Sequence, residues 1–344
     1  MKRPLLLPLV PLYAAGVAWK SRAFDQHPER AQRLQQPVIS VGSLSAGGAG
    51  KTPFVIALAE ALRRAGHGID VLSRGYGRTS GRTPDEVLRV NPLGSATDFG
   101  DEPLLLAQRL GCPVYVARNR YDAGRWAERD RHHLRDDKTL ALHLLDDGFQ
   151  HRQLARAVDI VLLTAADARD TLLPAGDLRE PMRALRRASV IVLREEEAEK
   201  LLPLLNRFKR GRELPPVWLI ERKFAVIDGL PATRPLAFCG IARPEGFRTA
   251  LTEKAISPAG FTALRDHQTY DEATIQKLIT SAKAAHANGF ITTAKDAVKL
   301  TPNLRRQLES IGPIAIGDIR VTLRNEEQCV TEVVAQIKAW WSKP

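Results

Sequence analysis

The stretch Pro37–Phe54, PVISVGSLSAGGAGKTPF, decides the fold. A short apolar run of β type, Pro37 to Val41, leads into a glycine-rich turn ending in Gly50-Lys51-Thr52, and Phe54 to Ala65 reads as a helix. Strand, glycine loop, helix is the order a phosphate-binding loop requires. Successive backbone N–H groups curl around phosphate oxygens, the lysine neutralises the β and γ oxygens, and the hydroxyl after it ligates Mg²⁺ at the positive end of the helix dipole. The strict pattern has a glycine six residues before the lysine, where this chain has Ser45. The loop therefore reads as the variant x-G-G-x-G-K-T. Its triphosphate contacts are Ser45, Ala46, Gly47, Gly48, Ala49, Gly50, Lys51 and Thr52, with Thr52 also a metal ligand.

A second element completes the nucleotide chemistry. Thr139 to Leu145 is a buried-type strand that runs into Asp146-Asp147-Gly148-Phe149-Gln150-His151. Acidic residues at the carboxyl end of a parallel strand face the crevice where α/β proteins bind ligands, and such a carboxylate holds Mg²⁺ in phosphate-loop enzymes. Adjacent aspartates in a cleft repel each other unless a cation lies between them, which makes Asp146 and Asp147 metal candidates. Further strands are predicted at Gly68–Ser73, Pro113–Ala117, Val158–Leu163 and Val190–Leu193, alternating with helical segments. This is an α/β fold of phosphate-loop NTPase type, a doubly wound, mostly parallel sheet.

A length of 344 residues exceeds what one core usually serves. The phosphate-loop core is assigned to 23–225, a smaller α/β domain to 226–325, and a C-terminal helix, packed back on the core, to 326–344. Proline and glycine breaks at Pro215-Pro216 and Gly229-Leu230-Pro231 mark the junction. Net charge is +12, which favours an anionic partner: nucleic acid, an acidic membrane face or a phosphorylated substrate. With aromatics at 6 % and no recognisable nucleic-acid module, nucleic acid is disfavoured, and no obligate protein partner is evident. The three dispersed cysteines form no disulfide framework and suit a reducing compartment.

The first residues are unusual. Pro4 to Trp19 contains no charged residue. As a helix it would span roughly 24 Å, short of the ~20 apolar residues a full crossing needs, and Pro8 and Pro11 interrupt it. A secretory signal would carry a triphosphate-binding chain away from its ATP. A core helix is a second reading. The preferred one is an interfacial anchor over residues 1–22, with Trp19 at the boundary and Lys20 and Arg22 at the headgroups.

Other motifs are individually weaker. Arg74-Gly75-Tyr76-Gly77-Arg78 ends a strand as a loop suited to close approach, and the polar residues 79–99 read as a surface loop. Asp101 and Glu102, in Gly100-Asp101-Glu102-Pro103, stand at a helix start, where carboxylates commonly cap. Arg118, Arg120, Arg125 and Arg129 follow a strand. Asp266-His267 precedes Tyr270, and Thr293-Ala294-Lys295-Asp296 approximates a base-reading NKxD motif without its Asn.

Taken as an ordered set, these segments resemble the tetraacyldisaccharide 4′-kinase family, the lipid A 4′-kinases of Gram-negative bacteria. The resemblance rests on GSLSAGGAGKTP at 42–53, SRGYGR at 73–78, GDEP at 100–103, DDGFQHR at 146–152, LPAGDLREP at 173–181, DHQTY at 266–270 and TTAKDAVKL at 292–300. It implies transfer of the ATP γ-phosphate to the 4′-hydroxyl of a lipid A disaccharide 1-phosphate precursor, with Mg²⁺. It also implies peripheral action at the cytoplasmic face of the inner membrane. By the same resemblance Asp101 and His267 act as a catalytic pair, and Gln150, His151, Tyr76 and Arg179 lie near nucleotide or substrate. Arg74, Arg78, Arg118 and Arg120 become candidates for the anionic head group. The loop variant alone also fits membrane-associated nucleotide-switch ATPases and GTPases, which phosphorylate no small molecule.

Overall fold

The computed structural model describes residues 3–78, 83, 86–130, 140–208 and 214–342. Part of the expected loop at 79–99, Thr139, and residues 209–213 of the charged stretch after Glu195 lie outside them. In chain order the elements are α1 (Val10–Gln26), β1 (Val38–Ser43), α2 (Lys51–Arg64), β2 (Gly68–Ser73), β3 (Leu88–Arg89), α3 (Ala96–Phe99), α4 (Asp101–Leu110), β4 (Val114–Val116), α5 (Arg120–Asp130), β5 (Ala141–Asp146), β6 (Val158–Leu163) and β7 (Val190–Arg194). There follow α6 (Glu195–Leu205), β8 (Val217–Asp228), β9 (Leu236–Cys239), α7 (Pro244–Glu253), β10 (Gly260–Ala263), α8 (Glu272–Ala284), β11 (Phe290–Thr293), α9 (Ala294–Ala297), α10 (Pro302–Glu309), β12 (Ile314–Leu323) and α11 (Glu326–Trp341).

All twelve strands belong to one sheet, in the order β10-β9-β11-β12-β8-β7-β6-β1-β5-β2-β4-β3. Neighbours are parallel except at the β3–β4 edge and at β8–β12. The central strand β1 is buried at all six positions, as a parallel strand covered on both faces must be. Its Ile39 and Val41 pack with α2, α4 and α11 residues such as Phe54, Leu58, Leu104 and Val333. On the opposite face Val38 meets α5 through Ala123 and Ala127, and β6 and β7 meet α6 through Leu201.

The β8–β12 pair determines how the two parallel groups meet. Ile220 is level with Arg194, the carboxyl end of β7, while Val226 is level with Gly317, which pairs with Thr293 at the carboxyl end of β11. Between those levels the ribbon runs for roughly 20 Å at about 3.3 Å per residue. Because the pair is antiparallel, β9, β10 and β11 run back toward the core. The carboxyl ends of both groups therefore face one another across one cleft. The sequence predicts neither long strand. β8 lies where two proline breaks suggest a connection, and the 225/226 boundary falls inside it. Helix α11 packs on α2, β6 and β12, burying Cys329, Val330, Val333 and Ile337.

The apolar leader forms a 3₁₀ turn, Pro4–Leu9, continuing into α1, and none of its residues is buried. Among the described residues no helix is long and apolar enough to cross a membrane.

One buried charge pair locks β2, β5 and α5 together. His143 and its register neighbour Asp70 are fully buried, with Nδ1 2.6 Å from Oδ1, and Glu128 lies 3.7 Å from Nε2. Burial alone would lower the imidazole, but Asp70 and Glu128 outweigh it and raise it to about 9. A folded-state pKa above the ordinary 6.5 stabilises the fold fully below about pH 6.5 and is lost as pH rises through about 9. Unfolding free energy should therefore fall by a few kcal/mol at most across that window, at about 1.4 kcal/mol per unit. Denaturant titrations at a series of pH values should show this slope, and Asp70→Asn should flatten it.

Candidate active site

The phosphate loop is set by its two ends. β1 delivers the chain at Ser43, and α2 begins at Lys51, three residues before the expected Phe54, so Lys51 and Thr52 lie in its first turn. Gly48 and Gly50 take φ of 73° and 86°, the left-handed conformation that glycine adopts without strain. No side chain caps α2 and no acidic residue occupies its first turn, leaving the positive end of the helix open to an anion. The first half of the loop is braced by LPAGDLREP. Ala46 N donates to Asp177 O at 2.9 Å, and Arg179 N donates to Leu44 O at 2.7 Å. The Arg179 guanidinium donates to Ser45 O at 2.8 and 3.2 Å.

The aspartate pair arrives beside the loop because β1 and β5 register Val41 with Asp146. The following turn presses on β1 so closely that a Cβ on Gly42 would stand 2.5 Å from Phe149 Cβ and 2.8 Å from Phe149 N. The two carboxylates differ sharply. Asp147 receives Arg179 on both oxygens at 2.7 and 2.8 Å and has Lys51 Nζ at 3.4 Å. Burial opposes its ionisation, but these cations prevail and hold the carboxyl at about 2. Asp146 is buried, and among the described residues its Oδ1 has no hydrogen-bond partner. Burial, followed by the charges of Glu102 and Asp147, pushes it up to about 7. Gln150 Nε2 donates to Ser43 O at 3.0 Å and to Glu180 Oε1 at 3.1 Å, and Arg187 holds Glu180 by two further bonds. His151 is lowered to about 3 by burial and by Arg120, Arg156, Lys20 and Arg74, so it is neutral.

Across the cleft, the turn after β10 places His267 Nδ1 at 3.0 and 3.2 Å from the Asp101 oxygens. Asp101 stands at the first turn of α4, 6 % exposed, and its Oδ1 also accepts from Glu102 N at 2.9 Å. Lys295 Nζ lies 3.2 Å from both His267 Nε2 and Glu102 Oε1, and Lys299 Nζ lies 3.8 Å from Asp101 Oδ2. Burial would raise the Asp101 carboxyl, yet His267, Lys295 and Lys299 keep it below its ordinary value. The Asp101 hydrogen bond raises His267 against burial and Lys295. Behind them Asp296, fully buried, accepts from Tyr270 Oη at 2.8 Å, Gly240 N at 3.0 Å and Lys299 Nζ at 3.0 Å.

The chain matches the tetraacyldisaccharide-1-P 4′-kinase family over residues 2–338. It belongs to that family. It is 40% identical to the tetraacyldisaccharide 4′-kinase of Koribacter versatilis over 339 residues, covering 96% of this chain and 98% of that one. It is 37% identical to that of Geobacter metallireducens over 305 residues, covering 86% and 87%. The crystal structure of LpxK from Aquifex aeolicus in complex with ATP aligns with a TM-score of 0.72 at 30% identity, covering 97% of this chain and 99% of that one. The nucleotide-switch reading is not favoured, since the match to a kinase runs the length of the chain.

In this kinase the residues singled out from the sequence fall into three groups. The loop, Lys51, Thr52, Asp146, Asp147, Gln150 and Arg179 are contiguous, with Arg179 committed to Asp147 and the Ser45 carbonyl. Asp101 and His267 form a pair, with Tyr76 edge-on to His267 at 5.1 Å between ring centroids. The remaining arginines differ in setting. Arg120 is buried and lowered to about 10 by burial and Arg74, against Asp147 and Asp146, while Arg74 and Arg118 are exposed and Arg78 donates to Glu86 O at 3.4 Å. Sequence reasoning missed Glu102, Lys295 and Lys299 as dyad neighbours. The two lysines are four residues apart; the TAKD segment suggests a base-reading motif, and its place in the TTAKDAVKL segment of the family resemblance assigns neither lysine a role.

Gly42→Ala should push the 146–149 turn off β1, costing about 1–3 kcal/mol as overpacking does. A lowered Tm together with weakened triphosphate affinity in a calorimetric titration would be the result.

Proposed function

We propose that this kinase transfers the γ-phosphate of ATP to the 4′-hydroxyl of a tetraacyldisaccharide 1-phosphate, giving lipid IVA, at the cytoplasmic face of the inner membrane. The observation that carries the reading is the Asp101–His267 contact, a buried, oriented carboxylate on the cleft that holds the phosphate loop. The 4′-oxygen attacks the γ-phosphorus, the bond to the β–γ bridging oxygen breaks, ADP departs, and the hydroxyl proton passes to Asp101. In a loose transition state the hydroxyl becomes acidic only late, so a carboxylate of low pKa can still accept its proton. His267 orients Asp101, and Lys295 and Lys299 hold the pair in place.

Residues 45–52 would cradle the triphosphate, with Lys51 on its terminal oxygens. Thr52, Asp146 and Asp147 would hold Mg²⁺, which neutralises phosphate charge when bound. The unpartnered, buried Asp146 Oδ1 fits a cation, and it is the better fitted of the two carboxylates because Asp147 is already taken by Arg179 and Lys51. Arg74, Tyr76, Arg78, Arg118 and Arg120 would receive the anionic head group. Gln150 and His151 stand near the nucleotide.

Membrane docking is supported by the leader, whose Leu5, Leu12 and Trp19 are 93%, 74% and 78% exposed. A helix that offers its large apolar side chains outward suits the headgroup boundary.

The direct test is incubation with γ-labelled ATP, Mg²⁺ and a detergent-dispersed disaccharide 1-phosphate lipid, with label appearing in the lipid. Asp101→Ala and His267→Ala should each lower kcat by about 10²–10⁴-fold while leaving ATP binding intact. Near-normal turnover in both would sink the dyad. The Asp101-dependent part of the wild-type rate should be lost on the acid side below the usual carboxylate range, and the rate should fall on the alkaline side above the ordinary histidine value, where His267 loses its proton.

Replacing Leu12 and Trp19 together by Gln should reduce sedimentation with anionic vesicles and raise the lipid KM several-fold. ATP affinity should not change.

A further inference from the structure

Two arginines from beyond the phosphate-loop segment close on that loop, and the mechanism above uses neither. Arg222 lies on the β8–β12 ribbon, opposite Val321, in the span that bridges the two parallel groups. Its Nε and Cζ stand 3.8 and 3.9 Å from where a Cβ on Gly50 would be, and that buried Nε makes no hydrogen bond among the described residues. Arg243, just before α7, reaches the same loop. Its Nε, Cδ and Cζ stand 2.5, 2.7 and 2.9 Å from where a Cβ on Gly48 would be, and Ala242 touches the Gly47 position at 3.5 Å. A side chain at Gly48 would have to displace the arginine and would be strained by the positive φ. Burial, then Arg194 and Arg243, outweigh Glu196 and Glu197 and lower Arg222 to about 10. Guanidinium groups gathered beside a loop that itself attracts anions form an unfavourable arrangement unless an anion is shared between them.

We infer that Arg222 and Arg243 bind the phosphate oxygens of a nucleoside di- or triphosphate, clamping it between the loop and the half of the chain that carries His267. The inference rests on the kinase reading for the identity of the phosphoryl donor, but its readout is binding. A guanidinium donates in a planar fork suited to phosphate, where an ammonium acts as a point charge. Gly48 and Gly50 flank the centre of the loop, so the contacts fall on the β and γ phosphates.

The test uses the full-length protein in detergent without acceptor, titrated calorimetrically with ATP, ADP and AMP. In Arg222→Ala and in Arg243→Ala the Kd for ATP and ADP should rise about tenfold or more, as loss of a charge-assisted hydrogen bond does. AMP affinity and the nucleotide-free Tm should stay at wild-type values, and the lysine variants should keep more affinity than the alanine ones. Wild-type ATP affinity in both alanine variants overturns the inference. So does an equal loss for AMP and ATP that accompanies a lowered Tm and is not relieved by lysine, which marks a purely structural role. The two readings separate cleanly. If the wild type labels the lipid while the alanine variants bind ATP normally, only the clamp fails. If the arginines govern ATP affinity but the lipid is never labelled, only the acceptor assignment fails.

Discussion

Four carboxylates, Asp101, Glu102, Asp146 and Asp147, gather on one cleft, and their mutual repulsion has to be met side chain by side chain. Asp147 is taken by Arg179 and Lys51. Asp101 is taken by His267, with Lys299 beyond, and Glu102 by Lys295. Asp146 is the remainder: one of its oxygens is unpartnered among the described residues, and its carboxyl is raised first by burial and then by Glu102 and Asp147. Charge compensation here is a division of labour. Each of the other three has a cation at close range, whereas on Asp146 burial, Glu102 and Asp147 outweigh Lys51 and Arg120, and one oxygen is left for a group from outside the chain.

That division depends on the antiparallel β8–β12 ribbon. Lys295, Lys299 and His267 all follow strands of the second parallel group, whereas Asp146 ends β5 of the first, Asp147 follows it, and Asp101 opens α4 between β2 and β4 of that group. Had β12 paired parallel with β8, the carboxyl ends of β9, β10 and β11 would point away from the core, and no loop from them could reach Asp101. The sheet is continuous, yet between its two parallel groups it reverses sense, and the cleft exists at that reversal.

What the sequence reveals and what it conceals follow from the range of the interactions. The phosphate loop is legible because its function is local: glycines, lysine and hydroxyl act within one turn, so their spacing is their mechanism. The aspartates at the end of β5 are legible for the same reason. The ribbon is not. VWLIERKFAVID at 217–228 mixes charged residues with β-formers and sits between proline breaks, so local composition suggests a junction, and only pairing with a strand nearly a hundred residues later makes it a strand. Arg222 and Arg243 are equally opaque, since nothing near them in the chain hints at Gly48 or Gly50. The Asp101–His267 pairing came from the order of motifs along a family, because a contact across 166 residues has no local signature.

The leader joins this system at a definite place. Arg3 N donates to Ala175 O at 3.0 Å, Tyr13 Oη donates to Arg179 O at 3.1 Å, and Arg152 donates to Ser21 O and Asp25 Oδ1 at 2.9 and 2.7 Å. Ala175 and Arg179 belong to the segment that braces the phosphate loop, and Arg152 follows the aspartate turn. A helix lying in an interface has its depth set by its apolar side chains and its boundary aromatics. If α1 lies so, a rigid chain of contacts transmits that depth to the loop, and the phosphoryl donor stands at a fixed height above the lipid tails. An acceptor whose hydroxyl is held near the headgroup plane by its own acyl chains then needs to move little to meet it. On that reading the apolar start of the chain is a ruler as much as an anchor, because its polar contacts all fall on the side that holds the phosphates.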